Sequence, residues 1–306
     1  DKAVTRDFNW GVDVPIDGYE DKKIFVWIEA VMGYLTASMK ALEDKEEDWR
    51  EYWQGEDSRV YFIHGKDNIP FHTVIFPAIL AGIGIKNPNL RIVSSEYLKL
   101  EGKNFSSVKN WAIWVDYIVE NYDVDEVRYY LSINSPETKD TDFTWRDFIN
   151  VVNRDLVNNV GGFINKVLND IESKYKYSIP KGVVSKKFKD EILNLYFDVG
   201  DYIEEGKFKN SLLDIISEVK KVNKGYEAGE INTYEALQFI INLSNLLEPF
   251  IPRTCEKIRV ALNLDEPIWS YIEKKEGNVN EIEDLFGKID KRKAVEELNR
   301  LKEEKY

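Results

Sequence analysis

Apolar positions are spaced in two different ways along the 306-residue chain. Up to about Trp111 they come in short runs separated by polar clusters. VYFI (60–63) and LRIVSS (90–95) have the length and β-branched content of buried strands. KKIFVWIEA (22–30) opens like a strand, and AVMGYLTASMKALED (30–44) continues with helical spacing. FHTVIFPAILAGI (71–83) predicts an apolar helix, followed by the turn-former KNPN (86–89). Glu43 to Trp53 is charged and Trp-rich, the mark of an exposed helix or excursion. Strands alternating with helices imply a parallel sheet.

Beyond Trp111 the period becomes helical almost throughout. Residues 116–134, 145–175, 187–206, 210–229 and 233–264 all repeat apolar residues at three- and four-residue intervals. The last of these is broken at Pro249-Phe250-Ile251-Pro252. KAVEELNRLKEEK (293–305) predicts one exposed helix. The expected fold is therefore α/β followed by all-α: a partial nucleotide-type α/β domain, then a helical bundle. No internal repeat or low-complexity linker is visible, and the length favours two domains.

Composition narrows the class. No apolar run approaches the roughly 20 residues of a membrane span, the first residues lack signal-peptide anatomy, and the cytoplasm is the expected location. A single cysteine, Cys255, excludes an internal disulfide framework and any multi-cysteine metal site. The net charge of −13 is a cost for a polyanion binder, yet phosphate binding depends on local basic patches. Lysines cluster at 186–189, 207–209 and 220–224; such runs either solvate a helix face or meet nucleic acid.

The densest chemistry lies at 60–77, VYFIHGKDNIPFHTVIFP, which holds the only two histidines, His64 and His72. Charged and imidazole groups at a strand–helix junction sit where open α/β sheets bind ligands, at the carboxyl ends of their strands. A helix cap beside a satisfied core histidine would give the same residues.

Four segments in order carry a resemblance: Thr5-Arg6-Asp7-Phe8-Asn9-Trp10-Gly11, then VWIEAVMGYL (26–35), then the GKDN–FH stretch, then SSEYLKLEGKNFSSVKN (94–110). Together they resemble the second half of a class I aminoacyl-tRNA synthetase, specifically of the methionyl-tRNA synthetase family. FTWRDF (143–148), NRDLVNNVGGFINKVLN (153–169) and LLEPFIPRTCEKI (246–258) resemble that family's anticodon-binding bundle. The likeness runs from Thr5 to about Leu264. It implies a Rossmann-type half-domain over 1–115 with the ATP loop at 103–109, a stem-contact segment over 116–145, and an anticodon-binding bundle over 146–306.

By the resemblance, Trp27, Val31 and Tyr34 wall a box for methionine, with Phe71 and His72 closing it. The family often has proline where Val31 stands. A methionine side chain is apolar and flexible with one weak acceptor, its sulfur, so an aromatic box with a light polar touch suits it. Activation by ATP with its Mg2+ builds negative charge on the α-phosphate and the departing pyrophosphate, which fixed cations stabilise. Arg6 and Lys66 are candidates for that task, whereas Asp67 is expected to orient ribose or the substrate ammonium group. The family's mobile loop reads Lys-Met-Ser-Lys-Ser or Lys-Phe-Ser-Ser-Ser; here it is Asn104-Phe105-Ser106-Ser107-Val108. Asn104, Ser106 and Ser107 would face ATP, and Lys103 and Lys109 would supply charge from shifted positions.

The family's His-Ile-Gly-His-type signature has no counterpart in these 306 residues, and neither does its zinc knuckle. The expectation is a carboxyl-terminal part that needs an amino-terminal half, on the same chain or as a partner, and is inactive alone. Its partners would be tRNA(Met), L-methionine and ATP, with no membrane. For anticodon reading, Asp155 and Asn159 stand at aligned positions, Asn232 where a stacking Trp is common, and Tyr226 or Tyr234 could serve as platforms. A non-catalytic tRNA-binding paralogue, or a subunit of a split synthetase, is the competing reading. Related enzymes for leucine, isoleucine, valine or cysteine fit the four segments less well.

Overall fold

Phe25 ends an extended stretch and the next residue already begins a helix, so the strand expected in KKIFVWIEA is only two residues long. The computed structural model describes residues 3–85 and 88–303. Lys86 and Asn87 of the expected KNPN turn, and residues 304 and 305 of the expected terminal helix, lie outside the described residues. The chain forms two compact units, Asp1–Glu96 and Tyr97–Tyr306.

In the first unit, strands β1 (Thr5–Arg6) and β2 (Lys23–Ile24) pair antiparallel. Helices α1 (Val26–Ala30), α2 (Gly33–Ala41) and α3 (Glu51–Gln54) follow. The stretch before α3 is mostly turns, and Trp53 is buried rather than exposed; its Nε1 donates to Ser38 Oγ at 3.0 Å. Strand β3 (Val60–Gly65) runs into a single 3₁₀ turn, Lys66–Asn68. A π-helical turn (Phe71–Ile75), helix α4 (Phe76–Gly82) and strand β4 (Leu90–Ser95) complete a crossover. β3 and β4 are parallel, in register from Val60 opposite Leu90 to Gly65 opposite Ser95, as the strand–helix–strand pattern requires. Successive strand residues point to opposite faces. Phe62 is buried with Val31, Leu35, Trp53, Phe71, Phe76 and Leu80, whereas Tyr61 and Ile63 are exposed, Ile63 by 65%. Among the described residues neither β3 nor β4 has a further strand partner.

The second unit begins with β5 (Leu98–Leu100), antiparallel to β6 (Lys103–Asn104) and parallel to β7 (Thr141–Phe143). Residues 97–115, grouped with the α/β part in the sequence reading, thus pack with the helices instead. Between β6 and β7 lie α5 (Val115–Asn121) and α6 (Val124–Ile133). After β7 come α7 (Trp145–Val151), a π-helical segment (Val152–Gly161) and α8 (Gly162–Tyr175). Then follow α9 (Lys186–Glu204), α10 (Phe208–Glu227), α11 (Thr233–Leu246) and α12 (Pro252–Ala261). The break at PFIP separates the last two, since proline fits a helix's first turn and not its interior. Side-chain oxygens of Asp123, Thr144, Ser185 and Asn232 cap α6, α7, α9 and α11, each accepting an N–H of the first turn.

Helix α11 is buried on every side from Tyr234 to Leu246, so it is the central rod of this core. Its Gln238 and Asn242 pair through both amide atoms with the backbone of Lys274 and Ile272, strapping an irregular stretch onto the rod. Helix α13 (Lys293–Lys302) forms as expected but docks rather than standing in solvent. Leu301 is fully buried, and the Glu297 carboxylate accepts from the Tyr117 and Tyr122 hydroxyls at 2.8 Å.

Candidate functional site

The first unit gathers aromatic side chains where β3 ends and the π-helical turn begins. Widening that turn to i→i+5 bonding, a feature frequent at functional sites, sets Phe71 and His72 side by side in the interior. Trp27, half exposed at 50%, lies against Phe71 with ring centroids 5.7 Å apart. Tyr34, 41% exposed, leans on Phe62 at 4.9 Å and on His72 at 5.6 Å. Val31 is buried in the same cluster. The structure therefore brings together all five side chains expected to wall the box. It adds Phe62, whose inward position follows from strand alternation alone and which the sequence reading passed over.

The hydrogen bonds set the polarity of this cluster. His72 Nδ1 lies 3.0 Å from the Asn68 carbonyl oxygen, which can only accept, so Nδ1 donates. In the neutral ring Nε2 is then an acceptor, and the Tyr34 hydroxyl 2.9 Å away donates to it. What Tyr34 offers outward is an oxygen lone pair. A thioether sulfur is itself an acceptor, so the anticipated polar touch on sulfur would require Tyr34 to leave His72. His64, to which no task was given, stacks on His72 with centroids 4.4 Å apart and planes at 25°.

Lys66 and Asp67 occupy the 3₁₀ turn at the carboxyl end of β3. Lys66 forms a half-exposed ion pair with Glu96, just past the end of β4. Asp67 is exposed. Arg6 lies on the β1–β2 ribbon with its guanidinium 4.4 Å from the Phe25 ring centre.

In the second unit the expected ATP loop is a hairpin. Ser106 and Trp111 exchange both backbone hydrogen bonds, at 3.0 and 2.9 Å, around the turn Ser107-Val108-Lys109-Asn110. Asn110 supplies the positive φ (47°) that closes it, which asparagine tolerates better than most residues. Val108 at the tip is 96% exposed, and Asn104, Ser107 and Lys109 are exposed too. Lys103 lies 4.2 Å from the centre of the Trp111 ring, whose Nε1 donates to the Leu100 carbonyl.

The proposed anticodon residues are engaged internally. Asp155 is 1% exposed and accepts from both Arg154 Nε and Nη2 (2.8 and 2.7 Å), from Tyr129 and from Asn159. A buried carboxylate with four donors is a structural anchor, so Asp155 is corrected to that role; the side chain beside it that faces solvent is Arg154. Asn232 caps α11 and also donates to Glu235, whose other oxygen accepts from Ser185 N. Tyr226 donates to Asp170, and burial together with that carboxylate pushes its hydroxyl up to about 12. Tyr234 is buried and donates to Glu273. Next to Asn232, a groove of about 520 Å³ is lined by Lys187, Lys221 and Lys224 and equally by Glu191, Glu230 and Glu235, with Lys221 and Glu191 paired at 3.0 Å. Among the described residues no three His, Cys, Asp or Glu side chains converge as a metal site, and no helix is long and apolar enough to cross a membrane. Cys255 is fully buried, and its thiol is held well above its ordinary value by burial.

Comparison with known proteins assigns the chain to a family. The model for class I tRNA synthetases (M) matches residues 1–168. A methionine–tRNA ligase of Bacillus anthracis is 43% identical over 98% of this chain, as is one of Bacillus cereus. The chain belongs to the methionyl-tRNA synthetase family. It spans 58% of the length of those relatives. The family's fold is shared as well: Mycobacterium tuberculosis methionyl-tRNA synthetase bound by methionyl-adenylate superposes with a TM-score of 0.79 at 22% identity, over 93% of this chain and 60% of that one. Its free form gives 0.78 at the same identity, over 94% and 60%.

Proposed function

We propose that this chain contributes a methionine pocket, an ATP-facing hairpin and a tRNA-binding helical bundle to the ATP-dependent methionylation of tRNA(Met). The observation that carries the reading is the aromatic cluster of Trp27, Val31, Tyr34, Phe71 and His72, assembled on a chain 43% identical to methionine–tRNA ligases. Methionine would insert its side chain between the half-exposed Trp27 and Tyr34 rings, gaining by burial of its apolar stem and by sulfur–aromatic contact. Asp67, at the carboxyl end of β3, is suited to an ammonium group or a ribose hydroxyl. Lys103 and Lys109 on the hairpin are suited to the phosphates of ATP with its Mg2+, where fixed cations stabilise developing charge. The groove beside Asn232 carries Glu191, Glu230 and Glu235 along with Lys187, Lys221 and Lys224, and Lys221 is paired with Glu191 and Glu218, so the tRNA-binding part of the reading rests on the family resemblance and not on a basic patch there.

Asn104 and Val108 stand where the family's loop carries lysine and serine, and this favours a second reading, a tRNA-binding paralogue without catalysis. Titrating L-methionine and L-leucine into the purified chain separates the two. A methionine-selective change in tryptophan fluorescence that Trp27→Phe abolishes supports the pocket; equal or absent responses to both amino acids would remove it. The 306 residues hold no His-Ile-Gly-His-type phosphate signature, so the chain by itself is expected to give no methionine-dependent ATP–pyrophosphate exchange. Exchange above background would overturn that part of the reading.

A further inference from the structure

The chain's only two histidines lie face to face, although eight residues separate them in sequence. His64 ends the inward-facing row of β3, two residues after Phe62, and both rings pack on His72, Phe62 with its centroid at 4.9 Å and His64 at 4.4 Å. His64 Nδ1 faces the carbonyl of Gly65 at 3.0 Å, so it too carries its proton on Nδ1. Its Nε2 is buried and has no hydrogen-bond partner among the described residues. Buried polar atoms are rarely left this way without a reason. Hydrogen bonding on that side therefore does not account for the ring's presence, and its near-parallel contact with His72 does.

We infer that His64 is a positioning residue. It acts through His72, holding that imidazole in the plane in which Nε2 receives the Tyr34 proton while Nδ1 stays on the Asn68 carbonyl. The chain Tyr34 O–H to Nε2, then Nδ1–H to Asn68 O, works only while the ring stays in that plane; a tilt breaks both bonds together. With the ring held, Tyr34 keeps a fixed orientation and turns its oxygen lone pairs to the ligand space beside Trp27. The methionine reading supplies the identity of that ligand, but the clamp itself does not depend on it.

Two histidines make the test direct, because ¹⁵N spectra of the full chain contain only two imidazole spin systems. In the wild type, His72 is expected as a single Nδ1–H tautomer with widely separated nitrogen shifts. Tyr34→Phe, which deletes the donor, defines the pattern of an unpaired Nε2. His64→Ala is expected to draw the two His72 shifts together as the ring loosens and tautomers mix. His64→Phe keeps a stacking ring without nitrogens and is expected to retain the wild-type His72 pattern. A wild-type pattern in His64→Ala would overturn the inference, and so would a His64→Phe spectrum that has lost it; the second outcome decides the matter even if His64→Ala does not fold. Adding L-methionine to the same samples keeps the two readings apart. A His72 that keeps its His64-dependent pattern but ignores methionine would retain the clamp and discard the pocket.

Discussion

Glu126 shows how far a single side chain can be displaced from its ordinary chemistry in this structure. It lies buried in the first turn of α6, and burial, followed by the neighbouring charge of Asp123, pushes its carboxyl from 4.5 up to about 7. The folded chain therefore keeps a proton that the unfolded chain has released between those two values. Stability falls as pH rises through that window, because the native state binds more protons there. Glu126→Gln removes the titration and is expected to stabilise the second unit at pH 8.5 by on the order of 2 kcal/mol, shrinking to about half at pH 5.5. Urea unfolding followed by circular dichroism at the two pH values checks this, and an identical difference at both would refute it. At this same scale the sequence singled out five side chains that come together in the fold, because aromatic and imidazole side chains are rare and their order along the chain is specific. It did not expose the direction of the Tyr34–His72 bond, which depends on the Asn68 carbonyl, a backbone atom that no residue letter encodes.

Among the elements, type was legible and detail was not. The parallel pair β3–β4 and the long helices follow from apolar spacing, and the break before α12 follows from proline. The two π-helical stretches, Phe71–Ile75 and Val152–Gly161, were not foreseeable. A π turn leaves the apolar pattern nearly unchanged while rotating the residues after it, so periodicity does not report it. Those two stretches carry His72 and Asp155, and this is why one candidate came to rest in the aromatic cluster of the first unit and the other in the core of the second. Capping was missed for a similar reason. Asn232 aligns with a base-stacking position, but its side chain begins α11 by accepting from Glu235 N at 2.9 Å. Asn232→Ala should lower stability by about 1 kcal/mol, and Asn232→Ser, which keeps a capping oxygen without setting a second carboxylate against Glu235, should lower it less. Thermal unfolding of both variants measures the contrast, and equal losses would show that the amide does more than cap.

At the scale of the molecule, charge and surface act against each other. The uncovered face of β3–β4, with Tyr61 and Ile63 outward and no further strand partner among the described residues, is unlike most parallel sheets, which are buried on both sides. An open strand edge beside exposed apolar residues is also a template for another chain. The net charge of −13 keeps copies of the chain apart at low ionic strength. That protection has a range of about 10 Å in 0.1 M salt and about 3 Å in 1 M salt. Added salt should thus promote self-association through the sheet. Light scattering across a salt series should show mass rising with ionic strength, and Ile63→Lys should flatten the curve. In practical terms the strand pair sets the shelf life of the purified chain: dilute, low-salt storage keeps it dispersed, and the high-salt buffers used to strip bound nucleic acid are the ones in which it will cloud.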